Sequence, residues 1–326
     1  MSELHKFHFQ GMPVRGMLVR LTEAWQEVLE RRAANATTGA YPAPVRALLG
    51  EMTAAALLLY GNIKFDGALI LQIHGDGPVK LAVVEVQPGM RFRATATLVG
   101  EVPEGATLST MVNQHGRGRC AVTLDPQGRQ PGQQPYQGLV PLVDEAGRPL
   151  ERLAEVLEHY MRQSEQLDTT LVLAADDRVA AGLLIQRLPA QGGTAAVGAP
   201  VRAHGEEADD DYARLAMLAK SLTPQELLGL DSETILRRLF WQEPIERFEP
   251  LLGPSGPRFG CSCSRERVAQ MLRSLGADEV RSIVDEQGQV EVGCEFCGQQ
   301  YRFDPIEATQ LFVPAVGQPP VGPQVQ

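Results

Sequence analysis

Two closely spaced pairs of cysteines near the C-terminus constrain the fold of this chain more than any other feature. The first pair is Cys261-x-Cys263 and the second is Cys294-x-x-Cys297, with thirty residues between the pairs. Four thiolates in two close pairs suit one tetrahedral Zn²⁺, because each pair can place two sulfurs on the metal without strain. The spacing therefore predicts a small metal-binding module that contains both pairs.

The compartment decides how such thiols behave. The N-terminus lacks the basic start and apolar run of a secretory signal, and the longest apolar run, AAALLLY at 54–60, is too short to span a bilayer. These features predict a cytoplasmic protein, in which thiols stay reduced. A purely structural zinc ribbon, a disulfide-stapled module and a redox switch remain as alternatives at this point.

Energetics indicate what loss of the metal would do. A module of about 55 residues with few apolar side chains buries too little surface to fold alone, whereas a four-thiolate zinc contributes on the order of 10 kcal/mol of folding free energy. Metal loss should therefore unfold the module. Bound thiolates remain nucleophilic, so peroxide or hypochlorous acid could convert them to disulfides that no longer hold the metal. Such a site can work as a switch.

Residues 1–190 are predicted to form an α+β core domain with antiparallel-rich sheets. Short β-like runs are separated by the turn signals GDG and QPGM, as in a meander of hairpins. The expected strands lie at 67–75, 78–86, 91–98, 106–112, 118–124, 169–174 and 181–188. Apolar residues at helical spacing predict helices at 14–34, 44–60 and 149–163.

Residues 191–257 are predicted to form a flexible connector and a metastable helical linker. Positions 201–257 carry eleven acidic residues against six Lys and Arg, a net charge of −5. Thr223, Pro224 and Glu226 match a capping box, and Asp231 can cap a further helix. Helices this short are only marginally stable without packing partners.

The C-terminal part completes the predicted organisation. Residues 258–313 are expected to form the zinc-binding module, and 314–326 a disordered tail. Unfolding of the module should remove packing partners from the linker. The apolar side chains that this should expose are Leu227, Leu228, Leu236, Leu239, Phe240 and Trp241.

Several stretches together resemble a known family. FGCSCSRERVAQMLRSLGADEV, followed by VEVGCEFCGQQYRFD, is similar to the redox-regulated 33-kDa heat-shock chaperone family. The resemblance continues through LLGEMTAAALLLYGNIKFDGALILQIHGDGPVKLAVVE at 48–85 and SEQLDTTLVLA at 164–174. It thus covers nearly the whole chain apart from the tail.

The resemblance implies a function and a set of site residues. Members are ATP-independent holdases that bind unfolding proteins under oxidative stress, inactive when reduced with zinc bound and activated when oxidation ejects the metal. By position, Cys261, Cys263, Cys294 and Cys297 would be the zinc ligands. They would later pair as Cys261 with Cys263 and Cys294 with Cys297. The resemblance also implies a core chaperone domain at 1–190, a redox-switch domain at 258–313, and a homodimer in the active form.

Two other functions remain as alternatives. A zinc-ribbon nucleic-acid-binding regulator is disfavoured because residues 258–304 hold six arginines and eight acids, and the whole chain carries a net charge of −10. A dithiol oxidoreductase using CEFC is disfavoured because that motif lies in a hairpin-like knuckle with a second cysteine pair nearby. No nucleophile elbow or zincin motif occurs, so we expect no enzymatic activity, no catalytic residues and no cofactor other than zinc. Nucleic-acid and membrane partners are not expected, and Cys120 is expected to be a small buried strand residue.

Overall fold

The computed structural model describes residues 1–35, 38–128, 134–188 and 206–313, with side chains described from residue 210 onward in the last range. The first part of the predicted connector and linker, residues 191–205, and the predicted tail at 314–326 lie outside the described residues. The chain divides into two compact units, Met1–Cys261 and Ser262–Gln326.

The two units hold different elements. In chain order, the first contains β1 (Glu3–Phe9), β2 (Val14–Leu21), α1 (Glu23–Ala33), α2 (Ala43–Asn62), β3 (Gly67–His74), β4 (Val79–Gln87), β5 (Arg91–Leu98), α3 (Leu108–Val112), β6 (Arg119–Pro126), β7 (Tyr136–Pro141), α4 (Leu153–Ser164), β8 (Thr169–Ala175), β9 (Ala180–Arg187), α5 (Glu206–Lys220), α6 (Pro224–Gly229), α7 (Ser232–Leu239), β10 (Ile245–Arg247), β11 (Leu251–Leu252) and β12 (Arg258–Phe259). The second contains α8 (Arg265–Leu275), α9 (Ala277–Gln287), β13 (Val290–Gly293), β14 (Gln300–Phe303) and α10 (Pro305–Gln310).

The strands that the structure describes in the first unit form two six-stranded sheets. The first sheet has the order β10-β1-β2-β9-β8, with β11 also paired to β1, and its pairs are antiparallel. The second has the order β12-β5-β4-β3-β6-β7 and is antiparallel except where β12 pairs with β5. The α+β fold with antiparallel-rich sheets predicted from the sequence is confirmed.

Helix α2 forms the centre of the principal core. Its sequence is apolar on nearly all sides, and it packs against strands of both sheets. By length and composition it could cross a bilayer, but 72% of its most apolar window is buried inside the protein. This burial is the pattern of a core helix in a folded domain.

The helices α5, α6 and α7 cover the other face of the first sheet. Thr223 and Glu226 form the predicted capping box, and the Asp231 side chain accepts a hydrogen bond from the Thr234 N–H at 2.8 Å. The buried side chains of this interface include Phe7, Phe9, Val14, Leu18, Leu183 and Ile185 from the sheet, and Leu215, Ala219, Leu222, Leu227, Ile235, Leu236 and Phe240 from the helices and the residues that flank them. Because α6 and α7 have only six and eight residues, packing supplies most of their stability.

The exposure of the apolar linker residues differs from the expectation at one position. Leu227, Leu236 and Phe240 are buried, and Leu228 and Leu239 pack partly against the same cluster. Trp241, in contrast, is already 72% exposed. Unfolding of the linker would therefore uncover the first five side chains but not this one.

Two local predictions were wrong. Residues Val14–Leu21 form β2 rather than the start of a helix, because they pair with strands on both sides and place alternate apolar side chains on the two buried faces. The stretch 106–112 forms α3 rather than a strand, since Thr107 caps it through a capping box with Thr110. In both cases a short apolar pattern fitted either structure.

The second unit has a much smaller core than the first. Its buried apolar side chains are Ala269, Leu272, Val280, Val290, Phe303 and Ala308. Around them, Arg265 lies over the Phe303 ring at 4.2 Å and pairs with Glu307 at 2.7 Å. Such a core can supply little folding free energy by itself.

Candidate metal centre

The first cysteine pair lies between a strand and a helix. Cys261 follows β12 after one glycine, Gly260, and Cys263 comes directly before Ser264. The Ser264 hydroxyl accepts a hydrogen bond from the Arg267 N–H at 3.3 Å and caps α8. The helix start therefore fixes the chain immediately after the second sulfur of the pair.

The second pair lies in the tight connection between β13 and β14. The Cys294 N–H donates to the Gln299 carbonyl at 2.9 Å, and the Gly298 N–H donates to the Cys294 carbonyl at 2.8 Å. Gly298 has a φ of +73°, a left-handed conformation that glycine adopts at little cost. This turn folds the chain back so that Cys294 and Cys297 lie at the same end of the hairpin.

The structure brings all four predicted ligands together. The sulfurs of Cys261, Cys263, Cys294 and Cys297 lie within 4.8 Å of one another, and those of Cys263 and Cys297 are 3.4 Å apart. Four sulfurs around a tetrahedral zinc with bonds of about 2.3 Å would be about 3.8 Å apart. The donor set and spacing therefore fit one metal ion.

Two side chains donate hydrogen bonds to these sulfurs. The Tyr301 hydroxyl donates to the Cys263 sulfur at 3.1 Å, and this bond raises the pKa of Tyr301. The Arg93 guanidinium, from β5, lies 3.8 Å from the Cys261 sulfur and also bonds Glu85 at 2.9 Å. Donors of this kind orient thiolate ligands and stabilise their negative charge.

Neither donor was predicted from the sequence. Tyr301 lies four residues beyond Cys297, and its position next to the knuckle was the only signal that could have indicated it. Nothing in the local pattern relates Arg93 to a cysteine 168 residues away. Their proximity depends on how the strands pair.

Cys120 lies away from the cluster, on β6. It is fully buried, as the sequence predicts, and burial raises the pKa of its thiol to about 12. A thiol that ionises so poorly is a weak nucleophile and a weak metal ligand.

Comparisons with known proteins agree with this architecture. Residues 2–304 match the model of the family described as Hsp33 protein. The chain is 44% identical over 311 residues to a 33 kDa chaperonin of Chromobacterium violaceum, covering 95% of this chain and 94% of that protein. It is 39% identical over 322 residues to a 33 kDa chaperonin of Methylobacillus flagellatus, covering 98% and 97%.

A solved structure has the same fold. The crystal structure of the 33 kDa chaperonin from Thermotoga maritima, a heat shock protein 33 homologue, superposes with a TM-score of 0.70. It is 21% identical, and the match covers 95% of this chain and 97% of the other.

Proposed function

Because this chain belongs to the Hsp33 family of chaperones, we propose that it is a redox-regulated, ATP-independent holdase. In the reduced state the four cysteines hold one Zn²⁺ and the chaperone is inactive. Oxidation of the cysteines releases the metal and activates binding of unfolding proteins. The observation that supports this most strongly is the cluster of four cysteine sulfurs that lie within 4.8 Å of one another.

Zinc is the metal we assign to the cluster. Four sulfur donors in a compact group suit zinc or an iron–sulfur centre, and a closed four-thiolate sphere is typical of structural zinc. Zinc bound in this way supplies folding free energy on the order of 10 kcal/mol. The small core of Ser262–Gln326 would then depend on Cys261, Cys263, Cys294 and Cys297 remaining thiolates.

Oxidation would remove that support. Cys261 would pair with Cys263, and Cys294 with Cys297. Each pair gives two electrons to one molecule of hydrogen peroxide, which takes up two protons and leaves as two molecules of water, while a sulfur–sulfur bond forms. A disulfide sulfur is a poor zinc ligand, so both pairs would lose the metal.

The linker would convert this change into a binding surface. Cys261 follows β12 by two residues, so the chain that leads back to α7 ends at a proposed metal ligand. Once Cys261 is no longer held, the short elements of the linker lose an anchor. Their departure would uncover the apolar face that carries Phe7, Phe9 and Leu18. A large exposed apolar surface is what capture of unfolded chains requires.

We extend the proposal to the clients, the oligomeric state and the compartment that the family resemblance implies. The clients are unfolded or misfolded proteins, the active form is a homodimer, and the working compartment is the cytoplasm, where the reduced form persists.

The test measures metal, thiols and holdase activity on the same samples. Reduced protein should contain one zinc per chain and leave a thermally unfolding client to aggregate. Peroxide with mild heating should release the zinc, lower the number of titratable thiols from the five cysteines of the chain to one, and suppress aggregation. A Cys120→Ala variant serves as control and should respond in the same way with no thiol left. Full activity with zinc and all thiols retained would contradict the proposal.

A further inference from the structure

The segment between α7 and the first cysteine pair covers an edge of each large sheet. Strands β10 and β11 pair with β1, and β12 pairs with β5. In the spatial order of the strands, β1 and β5 would each be an edge strand without these additions. Both sheets thus have an edge whose backbone partners come from residues 245–259.

The pairing is made by main-chain groups. On β1, the Phe248 N–H donates to the Lys6 carbonyl at 3.0 Å, and the Gln10 N–H donates to the Pro244 carbonyl at 2.8 Å. Every second residue of a strand bonds the same neighbouring strand in an antiparallel ladder. Because Lys6 and Gln10 bond the covering segment, the backbone of His8 between them also faces it, opposite Glu246.

The β5 edge is covered in the same manner. The Arg258 N–H donates to the Met90 carbonyl at 3.1 Å, and the Gly260 N–H donates to the Phe92 carbonyl at 2.9 Å. Backbone groups of residues flanking and within β5 therefore accept bonds from the covering chain, whatever side chains that chain carries.

The covering strands pack few apolar side chains against the core. Each covering strand packs one apolar residue against a core cluster, namely Ile245, Leu251 or Phe259. The neighbouring Glu246 and Leu252 are exposed. An occupant needs an extended backbone and an apolar residue at some alternate positions, which many unfolded sequences provide.

The covering strands are short, and prolines limit their length. They have three, two and two residues, against seven in β1 and eight in β5. The prolines that flank them are Pro244, Pro250, Pro254 and Pro257. Proline lacks the N–H that a longer ladder would need. A longer extended chain could therefore form more backbone hydrogen bonds along β1 or β5 than the native cover does.

We propose that β1 and β5 are binding sites for extended segments of unfolded polypeptide, which add to the sheets as extra strands once β10, β11 and β12 have left. This inference rests on the proposed function, in which release of Cys261 frees the linker together with β12 directly after it. Binding through main-chain hydrogen bonds depends little on the amino-acid sequence of the partner. It thus gives a general holdase a binding mode in addition to the apolar face.

A matched pair of variants tests the β1 site. His8→Pro and Glu246→Pro each remove one N–H from the same ladder, but only His8→Pro alters the edge that remains after the linker leaves. The probe is reduced, carboxymethylated α-lactalbumin, a permanently unfolded chain without thiols. After oxidation, His8→Pro should bind it about fivefold more weakly, the effect expected for one backbone hydrogen bond, and Glu246→Pro should bind it like the unmodified protein. Equal affinities for the three proteins would overturn the inference.

Hydrogen exchange on the unmodified chain provides a measurement that needs no variant. The backbone N–H groups of His8 and Gln10 face β10 and the residue before it, Pro244, whereas those of Phe7 and Phe9 face β2, because the two directions alternate along the strand. Within β1 and its end, oxidation should accelerate exchange at His8 and Gln10 but not at Phe7 and Phe9, and binding of the probe should slow it again at His8 and Gln10. Continued fast exchange at both in a complex with bound probe would refute the edge site and leave the holdase proposal standing. Absence of probe binding after oxidation would refute the proposed function and this inference with it.

Discussion

Replacement of Phe240 by alanine should loosen the linker without any oxidation. The Phe240 side chain is 2% exposed and lies at the centre of the interface between α7 and the first sheet. Its ring centroid is 5.0 Å from that of Phe9, in an edge-to-face arrangement, and 5.9 Å from that of Phe7. Truncation therefore removes the contacts that join two sheet residues to the linker.

The size of the effect can be worked out from this burial. Replacing a fully buried phenylalanine by alanine costs about 3 to 5 kcal/mol. The residues of the sheet keep their own core on the α2 side, so most of this cost falls on the docking of the linker. Since about 1.4 kcal/mol is a factor of ten, the undocked population should rise on the order of a hundredfold to a thousandfold.

The assay uses reduced, zinc-loaded protein. In Phe240→Ala, amides of residues 210–241 should exchange faster than in the unmodified chain, while those of 45–100 keep their protection, and the variant should suppress client aggregation without peroxide. The control is Trp241→Ala, the adjacent position, which is 72% exposed and should change stability by no more than about 0.5 kcal/mol. Unchanged linker exchange in Phe240→Ala would refute the claim that this packing holds the linker down. Faster exchange without client binding would show that the uncovered face is not a binding surface.

Three further predictions concern the cysteines and a buried carboxyl group. Cys294→Ser should lose zinc and the fold of Ser262–Gln326. Cys120→Ala should retain both, because the Cys120 thiol is buried with its pKa raised to about 12. Zinc content and circular dichroism would check this, and zinc retention in Cys294→Ser would contradict the ligand assignment. Tyr301→Phe removes the donor to the Cys263 sulfur, so thiol loss under peroxide should be faster, and an unchanged rate would show that the bond does not protect that thiolate. Burial raises the pKa of Glu51, on α2, from 4.5 to about 7. Between these pH values the folded state holds a proton that the unfolded state has released. The free energy of unfolding should therefore fall by up to about 1.4 kcal/mol for each pH unit as the pH rises through this range. Denaturant titrations from pH 4.5 to 8 should show a flatter profile for Glu51→Gln, and parallel profiles would count against the assignment.

The sequence alone determined the parts of this protein that depend on neighbouring residues. Two cysteine pairs in short motifs predicted the cluster of four sulfurs, since two sulfurs separated by one or two residues can reach one metal within almost any local fold. The hairpin turns that separate β3, β4 and β5 and the capping box at Thr223 are likewise local features, and the structure contains all of them. Turns, caps and paired ligands are formed by residues close together in the chain, so the sequence is sufficient to predict them.

Only the tertiary structure decided which segments meet. Val14–Leu21 became β2 because β1 and β9 offered partners on both sides, although its apolar spacing also fitted a helix. The pairing of β12 with β5 placed the chain before Cys261 along a sheet edge, and Arg93 of that strand lies next to its sulfur. Pairing between strands far apart in the chain depends on backbone groups that every residue carries and on the total surface buried. The sequence pattern of one strand does not specify which other strand it pairs with. These pairings, and the contact between Arg93 and the Cys261 sulfur, could therefore not be predicted from the sequence.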